Sequence, residues 1–274
     1  MDGVKIETFT RDIATRIKPS IELTHKRGSK IEECIRLGNF ETLCKRGEMT
    51  VDHSKSYKGY GVRAIGHRHR LVTIFKELEA FEIYKNGTFC DLGCSNGYIT
   101  EKIRHHFDLE AFGFDRNSEN IEIGTLKYPN VKFGQVDLNQ PYGGSQTFDL
   151  VTCFETLEHV GNLKAAVQNI LKRIAPGGKA LISVPIERGM RGIFKYTIKK
   201  IIFGYSVSEL GISEAEYFRI LFSGRRLSNA RPPADGYGTH FGFDYKDIDD
   251  ALLEYEANYT ARNSGMTRFY KIFG

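Results

Sequence analysis

Residues 88–97 read TFCDLGCSNG, and the fold class can be inferred from this stretch and its surroundings. Its first half is apolar enough for a buried strand, and its second half places glycines at 93 and 97 in a tight turn. An apolar run followed by such a turn and then by an amphipathic stretch is typical of the beginning of a βαβ unit. Glycines let the backbone approach a ligand closely, and the next helix points its first N–H groups at the same place. We therefore expect a ligand-binding loop at residues 93–97.

The alternation of apolar runs and amphipathic stretches continues downstream of this loop. It predicts strands at 88–93, 110–115, 131–137, 148–155 and 178–185, and helices at 97–107, 118–126 (with Ser118 as N-cap) and 163–174. A last helix at 245–253 and a hairpin of residues 255–263 and 266–274 follow. The pattern therefore predicts an α/β fold, a Rossmann-like and mostly parallel seven-stranded sheet with an antiparallel hairpin at its C-terminal end.

Two segments lie outside this pattern. Residues 1–86 show helical periodicity, best between Arg70 and Tyr84, and we expect them to form a helical cap or lid on a domain spanning residues 87–274. Residues 186–239 interrupt that domain after the fifth strand and predict helices near 191–203 and 213–222. We expect this insertion to cover the substrate or to contact a partner subunit.

The composition is that of an ordinary globular protein, with 41% apolar and 27% charged residues among 274. The five cysteines, at 34, 44, 90, 94 and 153, fit neither a disulfide framework nor a zinc knuckle, so we expect reduced thiols and no metal site. The N-terminus lacks the apolar core of a signal peptide, and no run approaches the ~20 apolar residues of a membrane span. We therefore expect no membrane span and a cytoplasmic location.

Asp91 and the composition of the turn narrow the choice of ligand. A dinucleotide fingerprint requires glycines at 93, 95 and 98, but Ser95 and Tyr98 occupy two of these positions. The carboxylate of Asp91 at the strand end would repel a pyrophosphate and attract an ammonium group. The turn resembles the first motif of class I S-adenosylmethionine-dependent methyltransferases, in their ubiquinone and menaquinone methyltransferase-like branch, although Ser95 stands where a glycine is usual. The resemblance covers residues 88–185 and, more loosely, 240–274.

Further residues match motifs of this family in the expected order. Asp115 matches the acidic residue that chelates the ribose hydroxyls, and Asp137 with Leu138 matches the pair that reads adenine. Residues 154–160 resemble the segment beneath the methionine moiety, and residues 176–178, Pro-Gly-Gly, match the turn before the fifth strand. The resemblance implies S-adenosyl-L-methionine as cofactor. It implies a binding set of Asp91, Gly93, Cys94, Ser95, Asn96, Gly97, Asp115, Arg116, Asp137, Leu138, Phe154 and Glu155.

The candidates for a general base lie in two places. If the acceptor is a hydroxyl, it must lose a proton, and a well-placed base contributes about 10²–10⁴-fold to the rate. His159 follows the fourth strand, and His240 lies in an aromatic stretch that resembles one found in many relatives before the last helix but one. Glu155 and Glu158 are further candidates. Which of the four accepts the proton stays open.

Charge gives the only sequence clue to the acceptor. Residues 1–80 hold 16 basic and 11 acidic side chains and residues 186–239 hold 9 and 5, whereas the rest of the chain holds 14 and 18. Basic segments outside the core favour a small anionic acceptor, such as a phosphorylated or nucleotide-linked sugar or a glycan, and O-methylation of it. The sequence leaves open the acceptor atom and the oligomeric state.

Three alternatives remain at this stage. An RNA methyltransferase is one, but a pI near 8.8 and the lack of a strongly basic, aromatic-rich stretch disfavour it, and we expect no DNA partner. A non-catalytic S-adenosylmethionine-binding or scaffold protein is another, and the acidic residues at 91, 115 and 137 disfavour that. Residues 193–203 mix lysines with Ile and Phe as a membrane-surface helix would, but we expect them to form a cap helix.

Overall fold

The computed structural model describes residues 62–141, 143–234, 236 and 241–274. Residues 1–61 of the predicted cap and the candidate base His240 lie outside these described residues. The described chain is an α/β protein with a single seven-stranded sheet. The strands are β1 (Thr88–Leu92), β2 (Glu110–Asp115), β3 (Val131–Gln135), β4 (Phe148–Phe154), β5 (Ile174–Pro185), β6 (Asn258–Ser264) and β7 (Thr267–Phe273).

Seven α-helices accompany the sheet in the described residues. They are α1 (Val62–Glu79), α2 (Tyr98–Phe107), α3 (Ser118–Lys127), α4 (Leu163–Leu171), α5 (Gly189–Phe203), α6 (Glu214–Phe222) and α7 (Lys246–Glu254). The strand order is β3-β2-β1-β4-β5-β7-β6, and β7 alone runs in the direction opposite to the other six strands. The predicted Rossmann-like sheet with its C-terminal antiparallel hairpin is confirmed.

Alternation along the strands builds a hydrophobic core on each face of the sheet. Phe89 and Leu150 face α1 and α2, whereas Cys90 and Val151 face α4 and α7. Because β1 and β4 are buried on both faces, their sequences read as continuous apolar runs. Burial raises the pKa of the Cys90 thiol well above its ordinary value, which keeps the thiol protonated, and the described cysteines are free thiols.

Several predicted boundaries were wrong, each for a local reason. The first described helix spans Val62–Glu79 rather than 70–84. Helix α3 is capped by Asn117 rather than Ser118, because the Asn117 side chain accepts hydrogen bonds from two backbone N–H groups in the first turn. Strand β5 begins at Ile174, which the sequence had placed in a helix. The register then jumps at Pro-Gly-Gly 176–178, where Gly177 has φ 75° and forms an irregularity within β5.

The insertion has a small core of its own. Tyr196 of α5 packs on Tyr217 and Phe218 of α6 with ring centroids 5.2 and 5.7 Å apart, and on Phe241 at 5.9 Å. A buried ion pair between Arg188 and Asp244, 2.5 Å long, joins the two ends of the inserted segment. The insertion contains α5 and α6, so the helices predicted near 191–203 and 213–222 are confirmed.

The described residues contain neither a membrane-spanning helix nor a cluster of metal-ligating side chains. None of their helices is long and apolar enough to span a membrane. They also contain no group of three or more His, Cys, Asp or Glu side chains placed to hold a metal ion.

Candidate active site

The site lies at the point where the sheet topology changes direction. The chain runs outward from β1 to β2 and β3, and then crosses to β4 on the other side of β1. The loops that follow β1 and β4 flank the resulting crevice, which is where open α/β sheets bind ligands. These loops touch, because a Cβ atom built on Gly93 would lie 2.2 Å from Thr156 Oγ1. Only glycine fits at this position, where φ is also 79°.

Backbone hydrogen bonds hold the loop after β1 in place. The N–H groups of Gly93 and Cys94 both donate to Phe114 O, at 2.7 and 2.9 Å. Ser95 has φ 51°, which is uncommon for a residue other than glycine and costs free energy. Gly97 has φ 75° and precedes α2 as its N-cap residue, and a Cβ there would lie 2.3 Å from the Phe133 ring. The loop is thus fixed in one shape before any ligand arrives.

The carboxylate of Asp115 is oriented from two sides at the end of β2. Its Oδ2 accepts a hydrogen bond from Ser95 N at 2.8 Å, and its Oδ1 accepts one from Asn117 N at 2.9 Å. The arrangement couples Asp115 to the loop after β1. It fits the predicted chelation of two ribose hydroxyls.

Asp91 lies below the loop rather than in the crevice. Its side chain is 3% exposed, and its two oxygens accept hydrogen bonds from Thr100 (2.6 Å) and Thr152 (2.7 Å). The carboxylate thereby ties β1 to α2 and β4. Direct contact between Asp91 and an ammonium group stays a prediction, whereas the geometry shows it supporting the loop.

Burial gives Asp91 a pH-dependent effect on stability. It raises the pKa of this carboxyl from 3.8 to about 6, against the lowering effect of the two threonine hydroxyls. Because the folded-state pKa is the higher one, protonation stabilises the fold, and this contribution is lost as the pH rises through about 6. From pH 7 to pH 5, the free energy of unfolding should rise by about 1 kcal/mol relative to that of Asp91→Asn. Urea unfolding at both pH values measures this difference, and a difference independent of pH would contradict the shifted carboxyl.

A residue that the sequence analysis missed connects the ends of β3 and β4. The buried Asn139 donates through N and Nδ2 to Asp137 Oδ1, at 2.9 and 2.8 Å. Its own Oδ1 accepts from the N–H groups of Gly161 and Asn162. Asp137 Oδ2 has no hydrogen bond within the described chain and is available to a donor such as an adenine amino group. Leu138 is buried in the core, so it would reach a ligand only through its backbone.

The residue directly after β4, Glu155, has a strained backbone conformation. Glu155 has φ 49°, and its carboxylate lies 3.0 Å from Arg70 Nη1 of α1 and accepts a hydrogen bond from Ser183 Oγ at 3.3 Å. Strain at a residue other than glycine is concentrated at functional sites. Phe154 before it is buried in the core, so any contact of Phe154 with a ligand would be through its backbone. No local pattern in the sequence predicts the Arg70–Glu155 pair, because the two residues lie in distant parts of the chain.

Glu158 and His159 lie in the short 3₁₀ helix after β4 but differ in exposure. His159 is half-buried, whereas Glu158 is fully buried. Burial raises the pKa of Glu158, although the charges of His159, Lys195 and Arg70 act in the opposite direction. The described structure thus surrounds this carboxyl with cationic groups from α1 and α5.

The insertion adds basic side chains near the carboxyl ends of β4 and β5. Lys195 lies 2.5 Å and Lys199 lies 3.8 Å from Glu187 Oε1, directly after β5. The pKa of Lys199 is lowered, because the effect of burial exceeds the opposing effect of the Glu187 carboxylate. Arg231 donates to Glu158 O at 2.9 Å. Sequence reasoning had assigned basic charge to the insertion without identifying these side chains.

The chain closes over the crevice from the end of the insertion. Gly236 forms a β-bridge with Val160, and a Cβ built on Gly236 would lie 2.7 Å from Arg116 Nη1. The predicted site residues at 93–97, 115–116, 137 and 155–159 therefore lie at the end of β2 or in the loops that follow β1, β2, β3 and β4, and His240 belongs to the undescribed stretch that follows Gly236.

The chain is similar in sequence to known methyltransferases. A family model described as a methyltransferase domain matches residues 66–211, more than half of the chain. The chain is 32% identical over 110 residues to the putative methyltransferase 235L of Invertebrate iridescent virus 6, covering 40% of this chain and 41% of that protein. It is 30% identical over 112 residues to a ubiquinone biosynthesis O-methyltransferase of Coxiella burnetii, covering 39% and 47%. The chain thus spans less than half the length of these curated relatives.

Two solved structures share the fold. One is the PH0226 protein of Pyrococcus horikoshii OT3, with a TM-score of 0.54 and 16% identity, covering 76% of this chain and 91% of that chain. The other is magnesium protoporphyrin IX methyltransferase of Synechocystis PCC 6803 with bound S-adenosylhomocysteine, with a TM-score of 0.52 and 15% identity, covering 80% and 91%. At such identities the similarity bears on the fold alone.

Proposed function

Because the chain belongs to the class I S-adenosylmethionine-dependent methyltransferases, we propose that it methylates a hydroxyl group of a small anionic acceptor. A phosphorylated or nucleotide-linked sugar, or a glycan, is the class of acceptor that the charge pattern favours. The enzyme class and the cofactor follow from the family. The acceptor is our inference from the described side chains.

The crevice fits the cofactor. Asp115 would hold the ribose hydroxyls, Asp137 Oδ2 would accept from the adenine amino group, and the rigid turn at 93–97 would lie against the rest of the molecule. When bound, S-adenosylmethionine supplies an electrophilic methyl group on a sulfonium centre. The residues of the chain then have to bind the acceptor, orient its hydroxyl and accept its proton. Orientation alone accounts for up to roughly 7–11 kcal/mol of the barrier in well-arranged reactions.

The basic lining of the crevice carries the proposal for an anionic acceptor. Arg70 reaches it from α1, and Lys195 and Lys199 reach it from α5. These cations face Glu155, Glu158 and Glu187, of which Glu158 has a raised pKa and is more readily neutral than an ordinary carboxyl. When Glu158 is protonated, the three cations outnumber the two remaining carboxylates, and the surroundings of the acceptor carry a net positive charge.

His159 is the described candidate best placed to accept the proton. It is half-buried at the end of β4, whereas the carboxylate of Glu155 is engaged by Arg70 and that of Glu158 is fully buried. Its backbone N–H donates to Thr156 O at 2.9 Å, which fixes the residue beside the loop after β1. We infer that Glu158 does not contact the acceptor, because its side chain is fully buried. His240 remains the second candidate.

An acceptor panel tests the function. We expect S-adenosylhomocysteine to form with nucleotide-linked or phosphorylated sugars and not with the same sugars lacking phosphate. Since charge attraction is screened by salt, the KM of the acceptor should rise with ionic strength, whereas the Kd of S-adenosylhomocysteine should change little. Turnover of an RNA oligonucleotide alone would favour the RNA alternative, and a flat salt response would contradict an anionic acceptor.

The variant Lys199→Gln locates the effect in the insertion. Lys199 lies near the crevice, and in the variant the neighbouring Lys195 still pairs with Glu187. We expect the KM of the anionic acceptor to rise about tenfold, because a charge-assisted contact contributes about 1.5–3 kcal/mol. The matched control is Lys132→Gln, which removes an exposed lysine paired with Glu110 on β2. Equal KM values for the two variants would refute a role of Lys199 in acceptor binding.

A further inference from the structure

The outward face of α5 is apolar. Met190, Phe194, Ile198 and Ile201, here called the α5 stripe, are 70%, 61%, 37% and 78% exposed. At 100° per residue, their spacing confines them to an arc of roughly 80° on the helix surface. A helix on the surface of a globular protein ordinarily turns polar residues to this side. The stripe is therefore a feature that the ordinary amphipathic pattern does not explain.

The fold does not need the stripe, because the opposite face of α5 already packs. Tyr196 on that face is buried against Tyr217 and Phe241. The apolar surface also extends beyond the helix to Phe222 of α6, which is 61% exposed. Phe222 and Met190 line a cavity of about 440 Å³ at the beginning of α5. Contiguous exposed apolar surface of this kind marks an interaction site.

The charges beside the stripe are basic. Helix α5 contains no acidic residue, and of its four basic residues Lys195 and Lys199 pair with Glu187 and Lys200 pairs with Glu214. Arg191 is exposed, has no ion pair within the described chain, and lines the cavity together with Lys246. An anionic surface would complement the charges of Arg191 and Lys246.

We propose that the α5 stripe docks on a lipid bilayer that contains anionic lipids. The stripe would lie in the headgroup region with Phe194 and Ile201 buried among the acyl chains, and Arg191 would contact the lipid phosphates. A smooth row of aliphatic and aromatic side chains needs no shaped partner to be buried in this way. Because α5 follows the carboxyl end of β5, docking would place the crevice close to the membrane. This inference is independent of which acceptor the enzyme methylates.

Flotation of the whole chain with vesicles tests the proposal. We expect binding to vesicles of phosphatidylcholine and phosphatidylglycerol at about three to one, and much weaker binding to phosphatidylcholine alone or at high salt. The double variant Phe194→Glu with Ile201→Glu should bind at least about tenfold more weakly. Arg191→Gln should weaken binding to the anionic vesicles about fivefold and leave binding to neutral ones unchanged.

A matched double variant removes the ambiguity of added charge. Leu126→Glu with Leu253→Glu replaces two exposed leucines on α3 and α7, which are 48% and 65% exposed. It should bind vesicles within about twofold of the wild type. Thermal unfolding and S-adenosylhomocysteine binding should be unchanged in both double variants, since all four side chains are exposed. Equal losses in the two double variants, or no binding of the wild type, would overturn the proposal. A wild-type dimer that the stripe variant dissociates would overturn it too.

Discussion

Asp115→Ala should bind S-adenosylhomocysteine about a hundredfold more weakly than the wild type, or worse. Two ribose hydroxyls would lose a charged acceptor, and each such hydrogen bond contributes about 1.5–3 kcal/mol. The substitution also frees Ser95 N, which donates to Asp115 at 2.8 Å and holds the loop after β1 in its strained conformation. Isothermal titration calorimetry measures the change in Kd.

The matched control for this variant is Asp149→Ala. Asp149 is also held by hydrogen bonds, from Thr88 N and Thr88 Oγ1. It lies at the start of β4, however, at the end of the strands that is opposite to the site. Its loss should lower the free energy of unfolding without changing the Kd. Unchanged affinity in Asp115→Ala would remove Asp115 from the cofactor site, whatever the effect on stability.

His159→Ala and His240→Ala should both retain the wild-type affinity for S-adenosylhomocysteine, and at least one should lose more than about a hundredfold in kcat. A histidine with a pKa near the unperturbed ~6.5 is the side chain best suited to accept a hydroxyl proton near neutral pH. Neither residue belongs to the set assigned to adenosine, so the loss should fall on turnover alone. Steady-state kinetics with an accepted sugar phosphate would measure it.

The control for the histidines is His105→Ala, an exposed position on α2. It should leave kcat within a few-fold of wild type. If His159→Ala and His240→Ala behave in the same way as this control, the reaction needs no histidine. Glu155, or positioning alone, would then have to carry it.

The sequence predicted the elements that local patterns encode. Short apolar runs identified β1 and β4 as strands, and the glycines at 93 and 97 marked the turn because positive φ is required there. Boundaries failed where side-chain contacts decided them. The N-cap of α3 moved by one residue because Asn117 and Ser118 are both good caps and only the local geometry distinguishes them.

Parts of the site that depend on long-range contacts were beyond prediction. Arg70 and Glu155 are 85 positions apart and meet only because α1 packs on the sheet near the end of β4. Asn139 reads as an ordinary loop residue until the ends of β3 and β4 are placed side by side. A single sequence contains no local signal for either contact.

The buried Arg188–Asp244 pair gives the insertion the character of an exchangeable cassette. The two residues flank the segment that supplies Lys195, Lys199 and the α5 stripe, and Arg188 also donates to the carbonyl oxygens of Ser223 and Arg225. Removing one partner of a buried ion pair costs about 3–5 kcal/mol, so the junction tolerates replacement of both residues or neither. An engineer who grafts another acceptor specificity onto this sheet should cut outside Arg188 and Asp244.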